Sequence, residues 1–78
     1  MAAAKTGGFF FTKLAYVDAD GLPVIYREGS FNSTETKPLA AAMPDLASGS
    51  IIVEPDTGKV FFYNRPGDAW VEQFAFQT

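Results

Sequence analysis

Between residues 50 and 76, three short runs rich in β-branched and aromatic residues, "SIIVE", "KVFFYN" and "WVEQFAF", alternate with two turn-forming clusters, "PDTG" and "RPGDA". This spacing constrains the fold more than any other feature of the chain. Each run has the length of a strand and is too short for a stable helix, and Pro, Asp and Gly clusters of this length connect antiparallel neighbours. The pattern predicts a three-stranded meander. Alternation sends Ile51 and Val53 one way and Ile52 the other, and it sets Val60 and Phe62 against Phe61 and Tyr63. On the last run Trp70, Glu72, Phe74 and Phe76 share a face, with Val71, Gln73, Ala75 and Gln77 opposite. A sheet that is apolar on both sides must be covered on both sides.

The N-terminal part repeats the theme. "FFFTKLAYV" is followed by the turn signal "DADG", in which Gly21 can take a positive φ, and "LPVIYRE" returns as a second strand. Residues 9–28 therefore read as a β-hairpin, and residues 1–8, small and polar with two glycines, as a flexible or docking arm. The connection "GSFNSTETKPLAAAMPDLASGS" has no period-2 alternation. Within it Thr36 can cap, and Pro38 can open, a short helix through the alanines that Pro44 would end. The expected fold is a mainly β single domain over residues 1–78. It has about five strands, an N-terminal hairpin lying over a C-terminal three-stranded meander, and one short helix in the connecting loop.

At 78 residues the chain sits near the lower limit for a self-sufficient core, yet it carries eight Phe, three Tyr and one Trp. A body this small cannot hide them all, so the surplus points to burial against other chains. Cysteine and histidine are both absent, which removes disulfides, thiol nucleophiles, zinc knuckles and the commonest general base. The expectation is a protein that is not an enzyme, with no cofactor, no metal and no small-molecule substrate. The net charge of −3 and the scattered Lys and Arg argue against nucleic acid. No apolar run approaches the roughly 20 residues of a membrane helix. "MAAAKTGG" lacks the apolar core of a signal peptide, so a cytoplasmic site of synthesis is expected.

Four patterns could still carry chemistry. Asp56-Thr57-Gly58 is the catalytic triplet of aspartic proteases, whose carboxylate works in a dry site shared with a second Asp. Here Pro55 precedes it and Lys59 follows, and Pro-Asp-Thr-Gly is good turn chemistry with Gly in the left-handed exit position. The protease's glycine-rich flap and second apolar motif are missing, so Asp56, Thr57 and Gly58 are read as a hairpin turn. "DADG" resembles the start of a calcium loop, but the downstream acid is at the wrong spacing and the flanks are strands. The four serines have no histidine to activate them. Aromatics interleaved with bases could stack single-stranded nucleic acid, but the acidic balance supplies no electrostatic groove.

The stretch "GSIIVEPDTGKVFFYNRPGDAWVEQ" resembles a pattern in small structural proteins of tailed bacteriophages. In those a Gly-Ser and short strand lead to an Asp-Thr-Gly turn, an aromatic strand ends near Tyr, and a Trp opens the last strand. The matching positions are Gly49, Ser50, Asp56, Thr57, Gly58, Lys59, Phe62, Tyr63, Trp70 and Val71, and the resemblance covers about a third of the chain. It implies a non-enzymatic virion component present in many copies, in head decoration, neck or tail, made in the bacterial host cytoplasm. Its partners would be copies of itself or other virion proteins. The alternative, if the chain is not phage-derived, is a cytoplasmic monomeric inhibitor or adaptor presenting an aromatic sheet face. The candidate interaction residues are Phe62, Tyr63, Trp70 and Phe74. Trp70 and Phe74 share a face of the last strand and Phe62 and Tyr63 lie on opposite faces of the strand before it, so both faces of the meander carry a large aromatic and sequence alone does not say which is core.

Overall fold

The structure, a computed structural model, describes residues 7–73. It contains five strands: β1 (Gly8–Val17), β2 (Pro23–Ser30), β3 (Ile51–Glu54), β4 (Lys59–Asn64) and β5 (Ala69–Glu72). They form one sheet in chain order. The strand count and both turn regions of the meander are as expected. Residues 1–6 of the expected arm and residues 74–76 of the expected last strand lie outside the described residues, whereas Gly8 already belongs to β1.

Two expectations need correction. The N-terminal hairpin does not lie over the meander but extends it edge to edge, because β2 and β3 pair in parallel, Glu28 with Ile51, Gly29 with Ile52 and Ser30 with Val53. All other neighbours are antiparallel. Parallel neighbours need a crossover of a dozen residues or more, and residues 31–50 supply it. The second correction is that this crossover contains no helix. The Ala42 and Met43 N–H groups both donate to the Leu39 carbonyl, at 3.0 and 2.8 Å, which makes one turn. Pro44 then has no N–H to offer and disfavours the helical conformation at Met43, so the turn cannot propagate into a helix that a nucleus this short could sustain.

The crossover instead satisfies its backbone by bonding to the sheet. Ile25 N–H donates to the Asp45 carbonyl at 2.6 Å and Ala47 N–H to the Ile25 carbonyl at 2.8 Å, making a bridge that continues the β2 edge ahead of β3. Gly49 N–H donates to the Tyr63 carbonyl and Tyr63 N–H to the Ser50 carbonyl, both at 2.9 Å. Leu46, Ala47 and Ser50 of the crossover are buried together with Val24, Ile52 and Tyr63, and this is the core.

The resulting body is a slab, 19 Å in its shortest dimension and 42 × 41 Å in the others. Its Cα radius of gyration of 13.4 Å exceeds the roughly 11 Å of a compact domain of this length. Among the strands β1 touches β2 alone. Two bulges interrupt that pairing, because Phe9 and Phe11 face consecutive residues Gly29 and Glu28, and Leu14 and Tyr16 face Ile25 and Val24. Phe10 and Ala15 are the extra residues.

Candidate interaction surface

Register divides the sheet into two faces. Paired residues point the same way, so Arg27 and Gly29 of β2, Ile52 and Glu54 of β3, Phe61 and Tyr63 of β4 and Trp70 of β5 share one side. The crossover lies on this side and is held there by polar contacts spaced along its length. Ser33 donates through its N–H and its hydroxyl to the Asp56 carboxylate, the hydroxyl at 2.6 Å. Lys37 pairs with Glu54, which is 4% exposed, and its ammonium sits 4.4 Å from the Phe61 ring centroid. Trp70 Nε1–H donates to the Pro38 carbonyl at 2.7 Å. Ala40 N–H and the Tyr63 hydroxyl converge on Asp68 Oδ1, at 2.8 and 2.6 Å. Arg27 binds both carboxylate oxygens of Asp45, and Arg65 donates to the Pro44 and Leu46 carbonyls, both at 2.9 Å.

The electrostatics follow from these bonds. The Lys37 and Thr57 hydrogen bonds hold Glu54 below the usual carboxylate range, and the Ser33 bonds do the same for Asp56. Asp45 is held down by Arg27, and Asp68 by the Tyr63 hydroxyl and the Ala40 N–H. Burial, then the bond to Asp68, pushes Tyr63 up to about 12. Every one of these carboxylates is engaged in fastening the crossover or its flanking turns.

The Asp56-Thr57-Gly58 segment is the tip of the β3–β4 hairpin. Gly58 takes φ 78°, a conformation that a Cβ makes costly, and donates its N–H to the Glu54 carbonyl at 2.7 Å. Thr57 Oγ1 donates to Glu54 and accepts from Lys59 N–H. Asp56 is exposed, with its carboxylate spent on Ser33. At the first hairpin Asp18 Oδ1 accepts from the Asp20 and Leu22 N–H groups, both at 2.9 Å, so that oxygen serves the turn. Among the described residues no group of three or more His, Cys, Asp or Glu is placed to hold a metal ion, and no helix is long and apolar enough to cross a membrane.

The other side of the sheet has a different chemistry. Phe11, Tyr26, Ile51, Val53, Val60, Phe62 and Val71 share it across all five strands. Phe11, Val53 and Val71 are exposed, and the rest are half-buried against their neighbours. The polar groups that the strands place on it are few: Lys13, Ser30, Asn64 and Glu28, the last of which accepts from the Tyr26 hydroxyl. An open hollow of about 450 Å³ between Phe11, Lys13, Ala15, Tyr26 and Glu28 marks its β1 end.

The four candidates from the sequence are therefore split. Tyr63 and Trp70 lie on the covered side, their rings 5.1 Å apart, and Phe62 lies on the open side between Ile51 and Val71. Phe74 lies outside the described residues. Sequence reasoning passed over Lys37, Ser33 and Asp68, which sit in segments without periodicity, and Tyr26 and Phe11, whose hairpin it placed in a separate layer. In comparison with known proteins, the chain matches no family model, no curated protein and no solved structure.

Proposed function

We propose that the protein is a non-enzymatic assembly module that packs its open sheet face against further copies of itself, as a component of a bacteriophage-like virion. The observation that carries this reading is the hydrocarbon face from Phe11 to Val71. The crossover is fastened on the opposite side, and Phe11, Val53 and Val71 of this face are exposed. Five strands at about 4.8 Å spacing and roughly 17–20 Å of strand length give a footprint of about 400 Å². Apolar patches of that size on a soluble domain mark interaction sites. The virion assignment is supported by the resemblance of residues 49–71 to small phage structural proteins, and by an aromatic content that exceeds what a core of five buried hydrophobic residues absorbs.

Light scattering coupled to size exclusion at micromolar concentration tests the assembly. Wild type should elute as an oligomer, and Val53→Lys, which places a charge on the open face at an exposed position, should remain folded and shed copies. A monomeric wild type with a cooperative melt would overturn self-assembly and leave the adaptor reading.

A further inference from the structure

A second surface, distinct from the open face, lies along the outer edge of β1. This strand is ten residues long, ends the sheet among the described residues, and is exposed at every position from Phe10 to Val17. Phe10, Phe11, Leu14, Tyr16 and Val17 leave 73, 45, 54, 50 and 57% of their surface in water. Proteins normally guard such an edge with charges or proline, and β1 has one charge, Lys13, and no proline. Its two bulges, at Phe10 and Ala15, leave a regular central window from Phe11 to Leu14.

We infer that β1 pairs antiparallel with β1 of a second copy across a twofold axis at Thr12, joining two five-stranded sheets into one of ten. The register follows from side-chain alternation and charge. A twofold normal to the sheet keeps like faces together, so its axis must pass through a residue, and the central window offers Thr12 or Lys13. An axis at Lys13 sets two ammonium groups directly opposite each other, which is destabilising. An axis at Thr12 sets Thr12 against Thr12, Phe11 against Lys13 of the second copy, where the cation meets a ring, and the exposed Phe10 against Leu14.

A second copy is the occupant because the edge is self-complementary and its length is matched only by itself. Among the described residues the opposite edge, β5, has four residues and would leave most of β1 unpaired. The five exposed side chains offer roughly 500 Å² per copy, at about 100 Å² each. Stable interfaces use about 800 Å² per partner, so the edge contact is a reversible one. It shares Phe11 and Lys13 with the rim of the open face but is made along the backbone edge of β1, and the two contacts together would let copies both pair and stack.

The chain has no cysteine, so single-cysteine variants report the geometry directly. Under mild oxidation at micromolar concentration, Thr12→Cys should form a disulfide dimer at least about ten-fold faster than Asp20→Cys at the exposed hairpin tip, because pairing replaces collision by a millimolar effective concentration. Lys13→Cys should lag behind Thr12→Cys, since the two Lys13 Cα atoms would lie roughly 8 Å apart, beyond disulfide reach. Phe10→Lys, at the most exposed position, should keep the wild-type melt and lose the Thr12 cross-link. Equal rates for Thr12→Cys and Asp20→Cys, a faster Lys13→Cys, or oligomers that grow without limit as β1 meets β5 would each overturn the inference. An oligomer that survives Phe10→Lys but not Val53→Lys would overturn this edge while leaving the open face standing.

Discussion

Trp70→Phe asks whether the last strand holds the crossover down. The indole N–H reaches the Pro38 carbonyl at 2.7 Å from the half-buried covered face. Phenylalanine keeps a ring there and removes the donor. Losing the hydrogen bond costs about 1 kcal/mol net, with more if the carbonyl finds no water. The smaller ring buries roughly 40 Å² less apolar surface, which adds about 1 kcal/mol at ~25 cal/mol per Å². The expected loss is about 2 kcal/mol. In a domain of this size that lowers Tm by about 8–16 °C, or the urea midpoint by about 2 M if m is near 1 kcal/mol per M.

Far-UV circular dichroism is the assay, because the variant contains no tryptophan to report by fluorescence. Oligomer size in light scattering should follow the folded fraction and show no separate defect, since Trp70 faces away from both proposed contacts. An unchanged midpoint would refute the claim that Trp70 fastens the crossover. An unchanged midpoint with lost association would instead make Trp70 a contact residue and invert the assignment of the faces.

Two further predictions follow from the same packing. Gly29→Ala should destabilise by about 1–3 kcal/mol in urea titrations, because its Cβ would stand 2.5 Å from the Gly8 carbonyl oxygen and 2.9 Å from Phe9 Cα, backbone atoms of β1 that can move only if the pairing opens; a neutral result would show the β1–β2 pairing to be slack. Acid should loosen the crossover: Asp45, Glu54, Asp56 and Asp68 have folded pKa values below 3.8, 4.5, 3.8 and 3.8, so their contribution is full above those values and is lost as pH falls through the lower folded ones. Thermal melts between pH 7 and pH 2 should show Tm falling mainly below about pH 4, and a flat profile would mean these carboxylates are not holding the crossover.

The strands were legible because each has the length, composition and boundary residues of a strand with turns at its ends; "KVFFYN" and β4 coincide residue for residue. The parallel joint was not, because nothing in "VIYREGS" or "SIIVE" distinguishes a parallel partner from an antiparallel one. The clue lay in the connection, too long for a hairpin and without a pattern of its own, which is what a crossover without a helix looks like in sequence. The expected helix failed on a local conflict. Its alanines favour helix, but Pro44 limits it to one turn, and the sheet offers residues 45–50 better partners for their backbone groups.

The faces were legible as a pair but not in orientation, since alternation separates Phe62 from Tyr63 without saying which is inside. The polar tips of the side chains supply the orientation. On the meander's covered side stand Glu54, Tyr63 and Trp70, a carboxylate, a hydroxyl and an indole N–H, and each is matched by a group that this same chain provides. Such atoms cannot be buried without a dedicated partner, so the face that carries them must be closed by a segment whose donors and acceptors are fixed relative to it. On the meander's open side stand Ile51, Val53, Val60, Phe62 and Val71, hydrocarbon except for the exposed Asn64 at the end of β4. A surface of that kind makes no demand for matched donors, and any apolar surface of fitting shape can cover it without orphaning a polar group. Glu54, Tyr63 and Trp70 share a side with Ile52, so the inner face of the meander is the one whose polar tips the crossover meets, and the outer is the one that asks only for an apolar cover.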